Sequence, residues 1–398
     1  MTTESLPLAS PVEAEEPFQT GRVLSIVGGH FTHDTYSAFV APLLPLLIEK
    51  LSLSLTLAGG LAAFTQLPAI LNPFIGYLAD RISLRYFVIL APAVTATLIS
   101  LMGLAPNYPM LAILLLVTGV SVAAFHAPAP AMIARISGKE VGKGMSLFMA
   151  GGELGRTVGP LLAVWAVSTW TLDGFYRVVI FGWAASAVLY WRLHDIPARP
   201  ERRQSVRAML PAARRLFLPL LGIVFPRAFL LAALSVYLPT FMSQRGAGLW
   251  LAGASLSIYE LAGVVGALAG GTLSDRLGRK TILLVGIASS ALLMLVFLQT
   301  RGWLLGPVLL VLGFTALSTT PVMLAVVQEQ MPHNRALANG VYLAISFLTR
   351  PLVVLLIGIV GDQFGLTAAY YGSAAIALLA LPAVLYLPAS ATPSPIHD

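Results

Sequence analysis

Twelve apolar stretches, each about 18 to 28 residues long and so able to cross a bilayer as a helix, divide this chain of 398 residues. They fall at approximately 22–48, 56–79, 86–104, 109–134, 142–169, 175–192, 216–243, 250–274, 281–299, 303–328, 337–360 and 367–387. Only 10% of residues are charged and 57% are hydrophobic, against roughly 25% charged in a soluble domain. Lipid is therefore the main solvent. The predicted fold class is an all-α membrane protein with twelve transmembrane helices. Cysteine is absent, which removes disulfide frameworks, thiolate metal sites and cysteine nucleophiles together.

The twelve spans repeat as six and six. Gly76-Tyr-Leu-Ala-Asp80-Arg81 returns as Gly271-Thr-Leu-Ser-Asp275-Arg276, 195 residues later. At an offset of 194, Pro45 meets Pro239, Gly59 meets Gly253, Gln66 meets Glu260, His33 meets Arg227 and Arg156 meets Arg350. Several intramembrane polar positions in one register point to two pseudo-symmetric six-helix bundles, a plan common among transporters. The expected organisation is a tail at 1–21, a bundle at 22–192, a linker at 193–215, a second bundle at 216–388 and a tail at 389–398.

Charge sets the orientation. One set of loops, with the N-terminus, holds seventeen Lys and Arg, seven of them arginines between 192 and 215; the opposite side holds four, Lys50, Arg177, Arg245 and Arg301. The positive-inside rule then places both termini, the linker and both signature loops in the cytoplasm. The first twenty residues carry four glutamates and no basic residue, so no cleavable signal peptide is expected. The net charge of +7 sits in loops and not on a basic helix with interleaved aromatics, which argues against nucleic acid as a partner.

Ionisable groups inside a membrane cost at least about 2.5–3.5 kcal/mol each, so they mark function by default. This chain carries His30, His33 and Asp34 on the first span, His126 on the fourth, Glu153 and Arg156 on the fifth, Arg227 on the seventh, Glu260 on the eighth and Arg350 on the eleventh. His30 and Asp34, four apart, share a helix face with Ser37, and His33 points about 100° away. Glu153 and Arg156 are three apart and close enough to bridge. Glu260 and Arg227 lie on adjacent spans and either pair or serve a substrate. His126 is read equally as a packing residue or a proton carrier. Arg350 has no acid within a turn of its own helix and needs a partner from elsewhere. Arginine offers a fork of donors suited to carboxylate or phosphonate groups. Arg156 and Arg350 are therefore expected to face one another across a central cavity, with Glu153 and Glu260 tempering the field and His126, Gln66 and Arg227 as further candidates for substrate contact. In the signature loops, Gly76 and Gly271 would allow close helix approach. Asp80, Arg81, Asp275, Arg276 and Arg279 are read as conformational latches.

The Gly-x-Leu-x-Asp-Arg-x-Gly-Arg-Lys pattern between spans 2–3 and 8–9 resembles the hallmark loop of the major facilitator superfamily, and the resemblance runs over the whole chain. Within it, Gly29-His30-Phe31-Thr-His-Asp34, Pro42-Leu-Leu-Pro45, Phe125-His126 and Gly151-Gly152-Glu153-Leu-Gly155 resemble the fosmidomycin-resistance-type drug exporters. Ala127-Pro128, Glu153 and Arg156 depart from that pattern. The resemblance implies an inner-membrane efflux carrier of bacterial type, a proton antiporter, acting as a monomer on small-molecule substrates without a cofactor or metal. Asp34 is expected to carry the proton, assisted by His30 and His33, because no Lys or Arg lies within a turn of it on its own helix to hold it ionised, whereas Glu153 has Arg156. A uniporter, importer or lipid flippase of the same fold is the rival in mechanism, and a non-transporting sensor a more distant one. No Gly-x-Ser-x-Gly, His-Glu-x-x-His or Walker loop points to an enzyme or a primary pump. Membrane lipids are the remaining expected partner.

Orientation is testable in a chain without cysteine. Single cysteines placed at Ser205 and Ser394 should react with an impermeant maleimide only after the cytoplasmic face is exposed. Labelling of either in intact cells would reverse the topology.

Overall fold

The computed structural model describes residues 17–72, 74–75, 85–138, 140–195, 210–331 and 335–388. Among these residues every regular element is helical. Seven helices qualify as membrane spans on length and hydropathy alone; the other spans are hidden by turns and breaks. Lys143–Trp170 and Asp173–Leu193 meet at 120° and form a hairpin of the fifth and sixth spans. The 44-residue run Arg335–Leu378 turns at Gly365 (φ 83) and holds the eleventh span and the start of the twelfth. Spans 3, 8, 9 and 10 are Arg85–Ser100, Leu249–Leu277, Arg279–Gln299 and Leu305–Gln330. Large apolar side chains stay exposed around the outside, among them Ile180, Trp183, Trp191 and Leu268, as a lipid-facing surface requires.

Among the described residues four spans break in mid-bundle, apart from a break near the end of the twelfth between Leu378 and Ala380, and in each of the four a proline removes the N–H that a carbonyl one turn earlier would accept. The first runs Thr20–Ser37 then Val40–Leu51, with Pro42 withdrawing the donor for Ala38. The second passes from Leu55–Phe64 to a 3-10 turn at Leu67–Leu71, with Pro68 doing the same to Phe64. The fourth is Tyr108–His126 then Ala129–Ile136, where Pro130 leaves the His126 carbonyl without its helical partner. The seventh runs Leu210–Ala232, widens to a π-turn at Ala233–Tyr237 and continues as Leu238–Gln244, with Pro239 opposite Ser235.

The two halves repeat in backbone as well as in sequence. Ser52 (φ 51) and Gly246 (φ 87) are left-handed at equivalent places, as are Thr171 (φ 60) and Gly365 (φ 83). The halves meet where spans 2 and 11 cross and, equivalently, where spans 5 and 8 cross. A Cβ on Gly59 would stand 2.1 Å from the Tyr237 hydroxyl and 3.1 Å from Val354 O; one on Gly253 would stand 2.6 Å from Val164 Cγ2 and 3.4 Å from Pro160 O. Both crossings thus place a glycine against a backbone carbonyl of the other half. The largest buried apolar cluster joins the halves here, from Leu43 and Leu47 to Tyr237, Phe241 and Tyr370. Toward the opposite end the buried clusters no longer join the halves: Val23–Leu193 and the small Ile75–Ala123 pair lie in the first, Leu216–Leu387 in the second.

At the joined end, Asp362, past the end of the eleventh span, caps the second span across the interface. Its carboxylate accepts from Leu55 N (2.6 Å), Thr56 N (2.9 Å) and Thr56 Oγ1 (2.5 Å), N–H groups that the first turn of a helix leaves without partners. Burial pushes the carboxyl upward, but the hydrogen bonds from Thr56 and Leu55 outweigh it and hold Asp362 below its ordinary value. A lowered folded-state value means that the clasp is fully present above the ordinary aspartate pKa of about 3.9 and is lost only as pH falls below it. Spin labels at Leu53 and Ala247 should therefore report one short distance at both pH 7.5 and about pH 5. Asp362→Ala should lengthen it at both. A clasp that loosens by pH 5 in the unaltered chain would contradict this.

Candidate functional site

A cavity of about 350 Å³ lies between the halves. Ala38, Gln66, His126 and Ser235, each at one of the proline-associated breaks, line it. So do Asp34, Arg156, Glu260 and Arg350. Discontinuous spans at mid-membrane expose backbone and polar groups where a cavity can use them.

One wall is an acceptor cluster. Asp34 lies 3.4 Å from His30 Nε2 and 3.3 Å from His126 Nε2, and the two Nε2 atoms are 3.3 Å apart. His30 Nδ1 is 2.8 Å from Phe148 O and His126 Nδ1 is 3.0 Å from Val122 O. A carbonyl only accepts, so both Nδ1 atoms carry hydrogen; when a ring is neutral its Nε2 lone pair faces the Asp34 carboxylate, and when it is protonated its Nε2–H donates there. With both rings neutral, three acceptors converge in a place where His30 and Asp34 side chains are each only 5% exposed. Such a cluster calls for a cation or a proton. Arg156 Nη1 supplies part of the charge at 3.4 Å from Asp34 Oδ2, while its Nη2 pairs with Glu153.

The fifth span makes room for this. Gly152 faces His30 and Asp34 so closely that a Cβ would stand 2.4 Å from His30 Cε1 and 3.0 Å from Asp34 Oδ2; Gly155 and Gly159 similarly face the first-span backbone at Phe31 and Thr35. The Gly-Gly-Glu-Leu-Gly motif is thus a seam that lets the fifth span press the first. His30 is also held by Phe148, stacked at 4.0 Å between centroids.

Arg350 stands on the other wall. Its Nη2 donates to Ser235 Oγ at 2.7 Å, from the π-turn of span 7, and its buried Nε has no hydrogen-bond partner among the described residues. Glu260 lines the same cavity, as does its counterpart Gln66, whose buried Oε1 is likewise without a partner.

Several expectations need correction. Asp34 does have an arginine beside it: Arg156 arrives from the fifth span, invisible to any reading of the first span alone. Arg227 does not pair with Glu260 and does not line the cavity. It is buried, with Nη2 on Ala316 O (3.1 Å) and Thr320 Oγ1 (2.6 Å) of span 10. Its equivalent His33 is also buried outside the lining, stacked on Phe125 at 4.6 Å with neither ring nitrogen hydrogen-bonded. Glu153 stands behind Arg156 and is not among the lining residues. His126 belongs to the acceptor cluster, not to packing alone.

The second signature loop centres on Arg279, which reaches Asp275 (2.5 Å), Glu329 at the end of span 10 (2.7 Å) and the Ser274 hydroxyl. Glu329 was missed in sequence because nothing in its local run distinguishes it. Arg276 is exposed. Close helix approach occurs at Gly270, whose Cβ would stand 2.3 Å from Ser318 O, and not at Gly271, where no described atom lies within 4 Å. The first copy, with Gly76, Asp80 and Arg81, lies outside the described residues.

The sequence profile of the Major Facilitator Superfamily matches residues 26–352 and 257–397, and the chain belongs to that family. The fosmidomycin resistance protein of Escherichia coli (strain K12) is 23% identical over 391 residues, 96% of this chain and 95% of that protein. Multidrug resistance protein MdtG of Enterobacter lignolyticus (strain SCF1) is 26% identical over 341 residues, 81% and 80% of the two chains. Among solved structures, a D-xylose–proton symporter superposes with TM-score 0.76 at 16% identity, covering 94% of this chain and 99% of that one. A bacterial homolog of the human lysosomal transporter Spinster, inward-facing and occupied, gives TM-score 0.77 at 15% identity, covering 94% and 97%. These likenesses show the twelve-helix fold of a multi-pass membrane transporter.

The seam gives a direct test. Gly152→Ala should displace His30 and destabilise the protein by about 1–3 kcal/mol, read as a lowered unfolding midpoint in detergent. Gly28→Ala, inside the same helix as His30 but with no atom within 4 Å of the added Cβ, should leave the midpoint unlowered or raise it slightly, since Ala favours a helix over Gly by about 0.5–1 kcal/mol. Equal midpoints for the two variants would refute the seam.

Proposed function

We propose that this chain is a proton-coupled efflux carrier that exchanges protons for a small organic compound bearing an anionic group and a hydrogen-bond-donating or cationic group. The observation that carries this reading is the convergence of His30 Nε2, His126 Nε2 and the Asp34 carboxylate, with both Nδ1 hydrogens already committed to backbone carbonyls. One proton held there satisfies all three. Arg350 and Arg156 line the same cavity and offer guanidinium donors to a carboxylate or phosphonate. Exchange then needs competition for one set of acceptors: a donor group on the substrate occupies the Asp34 cluster in place of the proton, while the anionic end engages Arg350. A purely anionic substrate would be helped by the added proton and carried with it, which is why a donor group is part of the proposal.

Orientation follows from the loop charges. With the termini cytoplasmic and the membrane the bacterial inner membrane, the Asp362 clasp closes the outer end. The cavity, lying toward the end where the buried clusters separate, then receives substrate from inside. Alternating access exchanges this arrangement for its opposite, and the Asp275–Arg279–Glu329 contacts on the inner face act as the latch of that change. The drug-efflux names of the relatives support export, and fosmidomycin, named by one of them, is the first probe.

In proteoliposomes with an imposed proton gradient, the unaltered protein should concentrate labelled fosmidomycin against its own gradient. Asp34→Asn should abolish that uphill movement and retain exchange down the compound's gradient. Arg350→Gln should weaken binding by about 1.5–3 kcal/mol, roughly ten- to a hundredfold in Kd. If Asp34→Asn still accumulates substrate uphill, Glu260 becomes the proton carrier to test.

A further inference from the structure

We infer that His30, Asp34 and His126 also form a binding site for a divalent transition-metal ion of the Zn²⁺ class, with its remaining coordination position facing the central cavity. Each residue offers one ligand atom, and these atoms all lie within 4.8 Å of one another. The Nε2–Nε2 distance of 3.3 Å matches the edge of a coordination tetrahedron, and each Nε2 has its own carboxylate oxygen at that range, His30 with Oδ2 at 3.4 Å and His126 with Oδ1 at 3.3 Å, so the carboxylate serves both edges through one oxygen by a small rotation or through both by chelation. Metal–ligand bonds of about 2.0–2.1 Å place neighbouring ligand atoms about 3.3 Å apart.

The surroundings fit as well. Metal-bound imidazoles donate their second ring N–H to a carbonyl or carboxylate, which fixes the tautomer and aims the lone pair. Both histidines do so here, to Phe148 O and Val122 O. The ligands come from two spans, the first and fourth, and Gly152 of the fifth leaves the space beside them that a side chain would fill. His30 and Asp34 are buried, and His126 is half-open toward the cavity. That leaves three protein ligands and one accessible position, the arrangement of a site that exchanges its fourth ligand. The charged neighbours do not forbid it: Arg156 contacts Asp34, but Glu153 pairs with Arg156 and reduces its field. His33, next along the helix, faces Phe125 and is not a ligand.

This site uses the residues proposed above to hold the proton, yet its metal binding stands on geometry alone. The test titrates tag-free, detergent-purified full-length protein with Co²⁺, whose four-coordinate complexes absorb intensely in the visible where six-coordinate ones do not. One equivalent should bind with the intense spectrum, and one equivalent of Zn²⁺ should bleach it. His126→Gln and Asp34→Asn should each weaken binding at least tenfold or remove the intense bands. His194→Ala, at an exposed histidine, should change nothing. A weak six-coordinate spectrum from the unaltered protein, or unchanged binding by both ligand variants, would overturn the site. Zn²⁺ should also block gradient-driven transport in proteoliposomes until a chelator is added. Binding with the expected spectrum but no effect on transport would uphold the metal site and count against the proton assignment instead.

Discussion

Everything polar in this molecule follows from one constraint: inside hydrocarbon, a backbone N–H or C=O that is not satisfied by its own helix must find a partner in protein. Long apolar helices meet that demand and are chemically silent. The four proline breaks violate it locally, and the chain gathers all four at one place between its halves. The polar cavity is thus the region where the backbone rule is relaxed, shielded from lipid by the unbroken spans around it. His126 and Ser235 sit where they do because a helix loses its ladder beside them.

The two halves share a plan but not a chemistry. Crossing glycines, left-handed turns and the cavity positions 66/260 and 156/350 repeat faithfully. The acceptor cluster belongs to the first half alone. In the second half the position equivalent to His33 is Arg227, locked onto Ala316 and Thr320 of its own bundle. The first half therefore brings Asp34 and two imidazoles, His126 lining the cavity and His30 beside it, and the second brings Arg350 and Glu260. Duplication supplied the frame, and substitution at a few register positions divided the labour.

Much of this was legible in the sequence. Span lengths, the six-and-six repeat and the signature loop require only apolar runs and spacing, and five of the charges singled out as costly in lipid, Asp34, His126, Arg156, Glu260 and Arg350, line the cavity, whereas His30, His33, Glu153 and Arg227 do not. What could not be read was pairing between spans. Asp34 seemed to lack a cation because helical spacing reports neighbours on one helix only, and Arg156 comes from another. Arg227 and Glu260 looked like partners because adjacency in the chain suggests adjacency in space, but Arg227 turns toward span 10. The seam was present as Gly151-Gly152-Glu153-Leu154-Gly155, yet only the packed first span shows that Gly152 makes room for an imidazole and Gly155 for a backbone carbonyl.

The Asp362 cap is a contact that water can imitate. The carboxylate is solvent-exposed and Thr56 half-buried, so when the halves part there, the freed helix end and the acid are each rehydrated, which offsets part of what the contact contributes. A buried clasp of the same geometry would hold far more firmly, and the protein would rest in one conformation. A cycle that must visit two opposed openings many times needs those states close in energy. The hydration of one exposed carboxylate helps to keep them level.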